Sequence, residues 1–312
     1  MTIQIRALAR DDIPAAFPLV HAAFPSMVLT EDAMLWRHDR EQTDDDRRTL
    51  VAVDRSGAVV GFVRTRAHRR EGEETSGITY LMSVDPAHRG TGVEDRLLEA
   101  AERGLVEAGA VTLRVAAADE AIQHGGPELR RVLEEHGYER SESDAILGLD
   151  LKDLPDLPPA PPGAELLSWA DYEGDPRVLY DIDRITAEDE PGPVSGAPQN
   201  YADWYPDIWE HPLSDLDVSL VLLLDGTPVA ITCYVSDGDT RLESSMTGTL
   251  REYRGRGLAG HAKAVALHRA RERGFTRAFT GNSLVNEPML AINRKLGYQP
   301  VGTEDLYVRP AG

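Results

Sequence analysis

A chain of 312 residues, 41% hydrophobic and 28% charged, has room for two ordinary domains. Its 53 acidic against 33 basic residues leave a net charge of −20, so phosphate backbones repel it and nucleic acid is excluded as an expected partner. No apolar run reaches the ~18 residues of a membrane span, and Met1–Arg6 lacks the basic-then-apolar start of a signal peptide, so no membrane partner and a cytoplasmic location are expected. The single cysteine, Cys233, forbids an internal disulfide and belongs by habit in a core. The nine histidines show no ligand spacing, so no metal is expected.

The charge is unevenly spread. Residues 1–152 carry 19 basic and 28 acidic side chains, residues 163–245 carry 3 and 18, and residues 246–312 carry 11 and 5. A swing of this size between neighbouring segments suits an anionic ligand on the basic segment and a cationic one near the acidic segment.

In chain order, the first half reads as a hairpin, Leu50–Asp54 and Val59–Val63 around Ser56-Gly57, preceded by an acidic loop at Asp44–Asp46. A strand, the turn Arg89-Gly-Thr-Gly92 and an amphipathic helix with Val93, Leu97, Leu98, Ala101 and Leu105 on one face come next. Glu135-His-Gly-Tyr138 closes this half. Residues 153–163 hold five prolines, which favours an extended connector, placed at 153–162. The second half repeats the order: a hairpin at Ser219–Leu224 and Val229–Tyr234, a strand at Met246–Leu250, the turn Arg254-Gly-Arg-Gly257, a helix stopped by Gly274, a strand at Thr276–Thr280 and a further helix before Gly297-Tyr298. The Arg-Gly turns lie 165 residues apart and the Gly-Tyr pairs 160. The chain is therefore expected to be a tandem duplication of one α/β (α+β) domain, with domains at 1–152 and 163–312.

A strand that ends in glycines and runs straight into a helix aims backbone N–H groups and the positive end of the helix dipole outward, which makes a phosphate cradle. In the second copy Gly255 and Gly257 allow close approach, while Arg254 and Arg256 add charge. Together with Asn282 and Asn286 and the Leu296-Gly297-Tyr298 ending, this turn resembles the GCN5-related N-acetyltransferase (GNAT) superfamily, whose Gln/Arg-x-x-Gly-x-Gly/Ala signature is met by Arg254, Gly257 and Ala259. The resemblance covers about 165–309 well and 1–150 in outline, in the tandem arrangement that mycothiol synthase also has.

What the resemblance implies is an acetyl-CoA-dependent transfer to the primary amine of a small molecule by direct attack. Each copy would have a mixed, mostly antiparallel sheet flanked by helices. The turn, Arg254, Gly255, Arg256, Gly257, Leu258 and Ala259, would hold the CoA pyrophosphate. The pantetheine would lie along the strand at Thr249 and Leu250, with Leu250 N–H as carbonyl donor and Asn282 and Asn286 nearby. Glu243, eleven residues before Arg254, would be the general base. No metal is needed.

The departures matter too. Asn293 stands where many members place a tyrosine acid, leaving Tyr298, Tyr307 or a water as alternatives. In the first copy Glu94 replaces the small residue of the turn, Ile78 stands at the base position and no asparagine pair follows. That copy is expected to be folded and non-catalytic. The acceptor is expected to meet the variable segment Asp181–His211, with Asp183, Glu190, Tyr201 and Trp204 forming a cage for an organic cation. His261 and His268 read as surface residues. The assembly would be a monomer or homodimer. A second reading is a non-catalytic acetyl-CoA-binding or partner-binding protein on the same scaffold, which the missing tyrosine and the degenerate first copy allow.

Overall fold

The structure is a computed structural model that describes residues 3–41, 46–70, 72–191, 198 and 200–312. Asp44 and Asp45 of the expected acidic loop, and residues 192–197 and 199 of the variable segment, lie outside the described residues. Two compact units emerge, each with its own core: Met1–Asp144 together with Val301–Gly312, and Ala145–Pro300.

Unit 1 runs β1 (Gln4–Ala7), α1 (Ile13–Ala23), α2 (Glu31–Glu41), β2 (Arg47–Val53), β3 (Val59–His68), β4 (Ser76–Val84), α3 (Val93–Glu107), β5 (Thr112–Ala118), α4 (Gly126–Glu135) and the start of β6 (Glu139–Asp150). Strands β1 to β4 form an antiparallel meander, and β5 joins β4 in parallel through the α3 crossover. One sheet face packs on Leu97, Leu98 and Leu129 of α3 and α4. The other packs on Ile13, Val20 and Met34 of α1 and α2.

Unit 2 repeats this order with β7 (Ala164–Ser168), α5 (Pro176–Ala187), α6 (Tyr201–Trp204), β8 (Leu220–Leu224), β9 (Thr227–Ser236), β10 (Arg241–Thr249), α7 (Leu258–Glu272), β11 (Arg277–Ser283) and α8 (Glu287–Lys295), after which β12 (Gln299–Pro310) begins. Gly226 and Gly274 both adopt positive φ, where glycine carries no Cβ penalty, and so turn the hairpin and end α7 at the expected places. Cys233 is buried with Trp169, Leu179 and Val221, which fits its expected core role.

The expected boundaries differ from the observed units: the connector expected at 153–162 falls inside unit 2, and the closing strands are exchanged. Residues Glu304–Pro310 of β12 pair with β5 of unit 1, whereas Ala145–Asp150 of β6 belong to unit 2, beside β11. Each closing strand follows one copy in sequence and completes the sheet of the other. Ladder hydrogen bonds are made by backbone groups common to all residues, so element spacing does not reveal such an exchange.

Candidate active site

Parallel pairing between β10 and β11 covers only Arg241–Glu243 against Arg277–Phe279. Beyond Glu243 and Phe279 the strands part, and an antiparallel bulge at Ser245 bends β10 at the same level, as an extra residue in one strand does. On its other side β10 stays paired with β9, and Leu250 N–H donates to Val229 O at 2.9 Å. This corrects the expectation that Leu250 N–H faces the acyl carbonyl. Successive residues of a strand direct their backbone groups to opposite edges, so Thr247 and Thr249 face the open edge instead. Arg254 Nε reaches Thr249 O on that edge at 2.9 Å.

The phosphate turn sits at the end of this opening. Gly257 is the N-cap of α7 with φ +76°, and a Cβ there would meet nothing within 4 Å. Gly255 has the same φ and equally open space. Thr249, Arg254, Gly255, Arg256, Gly257, Leu258 and Ala259 all line a cleft of about 1080 Å³, which Asn286 and Glu190 also line. Asn286 uses its side-chain oxygen to cap α8, accepting from Met289 N at 3.3 Å. Asn282 is not a lining residue: its Oδ1 accepts from Asn293 Nδ2 at 2.5 Å, and Asn293 is fully buried. The arginines are less free than the sequence suggests. Asp189 is bonded to Arg251 and, at 2.6 Å, to Arg254 Nη2, and these two cations hold its carboxyl well below the usual carboxylate range. Asp189 is thus a cleft residue that lies in the expected acceptor segment but binds Arg251 and Arg254 instead. Its only signal was its place in an acidic stretch.

Glu243 occupies the last paired position before the strands part, half-buried. Tyr298 is buried nearby, and burial with Tyr234 and Glu243 beside it pushes its hydroxyl well above the ordinary value. Tyr307, the other tyrosine considered as an acid, belongs to the core of unit 1.

The expected acceptor cage is a packed cluster. Trp204 is 1% exposed and its Nε1–H donates to Asp183 Oδ2 at 2.7 Å. Burial raises the Asp183 carboxyl to about 6, partly opposed by this bond. Tyr201 stacks on Trp204 and already carries Arg177 over its ring at 4.7 Å. Asp183, Tyr201 and Trp204 are therefore partners of one another; of the four expected acceptor residues only Glu190 reaches the cleft. A spacing of aromatics does not distinguish rings that face a ligand from rings that face each other. Thr186 of α5 lines the cleft as well, so close to β10 that a Cβ on Gly248 would lie 2.1 Å from its Oγ1.

Unit 1 has the same frame with its opening filled. Pairing of β4 and β5 stops at Thr79 and Val115. Gln123, 2% exposed, then bridges the gap, accepting from Ala118 N at 2.9 Å and donating to Met82 O at 2.7 Å. Glu94, also buried, turns its carboxylate into the cradle and accepts from Gly90 N at 3.1 Å. Among the described residues no group of three or more His, Cys, Asp or Glu could hold a metal, and no helix is long and apolar enough to cross a membrane.

Family comparison agrees with this geometry: the model for the acetyltransferase (GNAT) family matches residues 13–124 and again 179–298. The chain belongs to the GNAT family. Among solved structures, a tandem GNAT protein from the clavulanic acid biosynthesis pathway superposes with a TM-score of 0.78 at 19% identity, covering 100% of this chain and 99% of that one. A GCN5-related N-acetyltransferase from Sphaerobacter thermophilus gives 0.69 at 17%, covering 99% and 96%. A fungal GCN5-related glucosamine N-acetyltransferase region gives 0.71 at 18%, with 99% of this chain covering 38% of that multi-domain chain. Curated proteins give no sequence match. At such identities the structures speak for the duplicated fold, and this tandem GNAT has its open cleft in unit 2.

Proposed function

We propose that the chain is an acetyl-CoA-dependent N-acetyltransferase acting on a primary amine of a small molecule, with its active site in unit 2. The observation that carries this is the contrast between two copies of one frame: unit 2 keeps the parted strands, the bulge and the glycine cradle open, and unit 1 fills the same places with Gln123 and Glu94. The residues present fit acetyl-CoA. Gly255 and Gly257 leave space at a helix N-terminus for a diphosphate, and the open edge at Thr247 and Thr249 offers backbone groups to an extended arm, as an added strand would use them. Thr249 Oγ1 is buried without a partner, an atom that a bound arm would satisfy.

Acetyl-CoA, when bound, supplies the activated acyl carbon. The protein's part is to orient and to move protons. Glu243, at the vertex of the parted strands, takes the proton that an ammonium must lose before it can attack. The N–H groups on the open edge polarise the carbonyl in place of Leu250. Protonation of the departing thiolate is left to Tyr298 or water, since Asn293 replaces the tyrosine. That replacement also favours a second reading, a non-catalytic acetyl-CoA-binding protein.

Thiol release from acetyl-CoA across a panel of small primary amines decides between the two. Turnover on at least one amine is expected. Glu243→Gln keeps shape but accepts no proton, so kcat/KM for that amine should drop by roughly 10²–10⁴ at neutral pH, with the deficit narrowing as pH rises and more amine arrives neutral. Binding of acetyl-CoA without turnover on any amine would favour the second reading.

A further inference from the structure

The proline-rich segment does more than connect. Leu154–Pro162 lies against α7 and lines the cleft from end to end, from Leu154 and Pro155 to Pro161 and Pro162. Two histidines on one face of α7, two turns apart, lie beside it. His268 Nε2 meets Pro155 O at 3.0 Å, and its Nδ1 faces Arg271 Nη2 at 3.0 Å. The arginine is a donor, so Nδ1 is an acceptor and Nε2 carries the hydrogen given to Pro155. His261, 8% exposed, has the Pro158 backbone beside it. Its Nδ1 is buried with no partner. Burial pushes this imidazole below its ordinary value, which favours the neutral ring, able to accept at one nitrogen. His261 is itself a cleft-lining residue. A buried acceptor without a donor carries a desolvation cost that a ligand donor would remove.

We propose that Leu154–Pro162 is a wall of the ligand cleft, fastened by His268, and that the unpartnered His261 Nδ1 accepts an amide N–H from the arm of the bound molecule. Apolar side chains of α7 and α8, Leu258, Ala264, Met289 and Ile292, line the same cleft as the prolines. Its occupant is therefore an apolar arm carrying secondary amides. The pantetheine of CoA has this character, so the inference rests on the acetyl-CoA reading and adds the connector and His261 to the site. Proline rings suit such a wall because fixed φ angles leave little freedom to lose when a ligand is enclosed.

CoA itself is the probe, titrated by calorimetry into the full chain and into His261→Leu and His261→Asn, with backbone hydrogen exchange of Asp156, Leu157 and Ala160 followed on the wild type. His261→Leu keeps bulk but removes the acceptor, so affinity for CoA should fall about three- to tenfold, the range of one hydrogen bond. His261→Asn places an amide oxygen near the Nδ1 position and should recover to within about twofold. Exchange of the three amides should slow when CoA saturates the wild type. Normal CoA binding with both variants unaffected, or with the three amides exchanging as before, would overturn the proposal while leaving the acetyl-CoA reading intact. A wild-type chain that takes up no CoA would instead remove the reading on which it rests. Because exchange is read on the wild type, a variant that fails to fold leaves the test standing.

Discussion

Glu243, eleven residues before Arg254, sits at the vertex of the parted strands, because spacing along the chain fixes a residue's height along a strand. Leu250 failed by a single residue: alternate residues address opposite edges, and a shift of one hands a backbone amide to β9. Asp183 and Trp204 failed differently, since their types fit a cation site and equally fit a buried partnership. That partnership makes a testable statement about stability. The Asp183 carboxyl is raised to about 6 from an ordinary value of 3.8, so the folded state prefers the protonated acid. Stability from this group is greatest below about pH 4 and is lost as pH rises toward 6, by about 3 kcal/mol in all. Asp183→Asn keeps an acceptor for Trp204 and should raise the melting temperature at pH 7.5 by several degrees. Its KM for an amine substrate should stay near wild type. A lower melting temperature in thermal scans would mean that the ionised form is the one the fold needs.

At the scale of elements, hairpins, turns and helices were legible because each has a local cause: glycine at positive φ, an amphipathic face, a stop residue. The filling of the unit 1 opening was half legible. Glu94 announced itself as a charge where the turn wants a small residue, and it does occupy the cradle. Gln123 gave no signal, because a glutamine between a strand and a helix says nothing about a bridge to β4, which lies 41 residues away in sequence. Removing that bridge as Gln123→Ala leaves Ala118 N–H and Met82 O buried without partners. Unit 1 should lose roughly 1–3 kcal/mol in denaturant unfolding, with acetyl-CoA binding by the chain unchanged. An unaltered unfolding midpoint would show that water or backbone shifts replace the bridge at no cost.

At the scale of the whole molecule, the repeat gave the duplication and missed the exchange of closing strands. Periodicity reports what each strand buries, and strand partners are chosen by backbone geometry that only the folded chain assembles. A fragment ending at residue 152 would carry all of unit 1 except Val301–Gly312, leaving β5 as an unpaired edge and Tyr307 absent from the core. Such an edge templates association between chains. Residues 1–152 made alone should aggregate or melt without a cooperative transition by size exclusion and circular dichroism, whereas the full chain should do neither. A monomeric, cooperatively melting fragment would contradict the division into units described above.

The central claim is that two copies of one frame provide a single cofactor site, in unit 2. Titration calorimetry with acetyl-CoA measures this directly on the wild type, Gly257→Glu and Gly92→Glu. Both glycines have positive φ and open space around them, so the two substitutions are matched in strain and each sets a carboxylate at its own cradle. The account predicts one acetyl-CoA per chain, abolished by Gly257→Glu and essentially retained by Gly92→Glu. Two acetyl-CoA per chain, or loss of binding with Gly92→Glu, would contradict it.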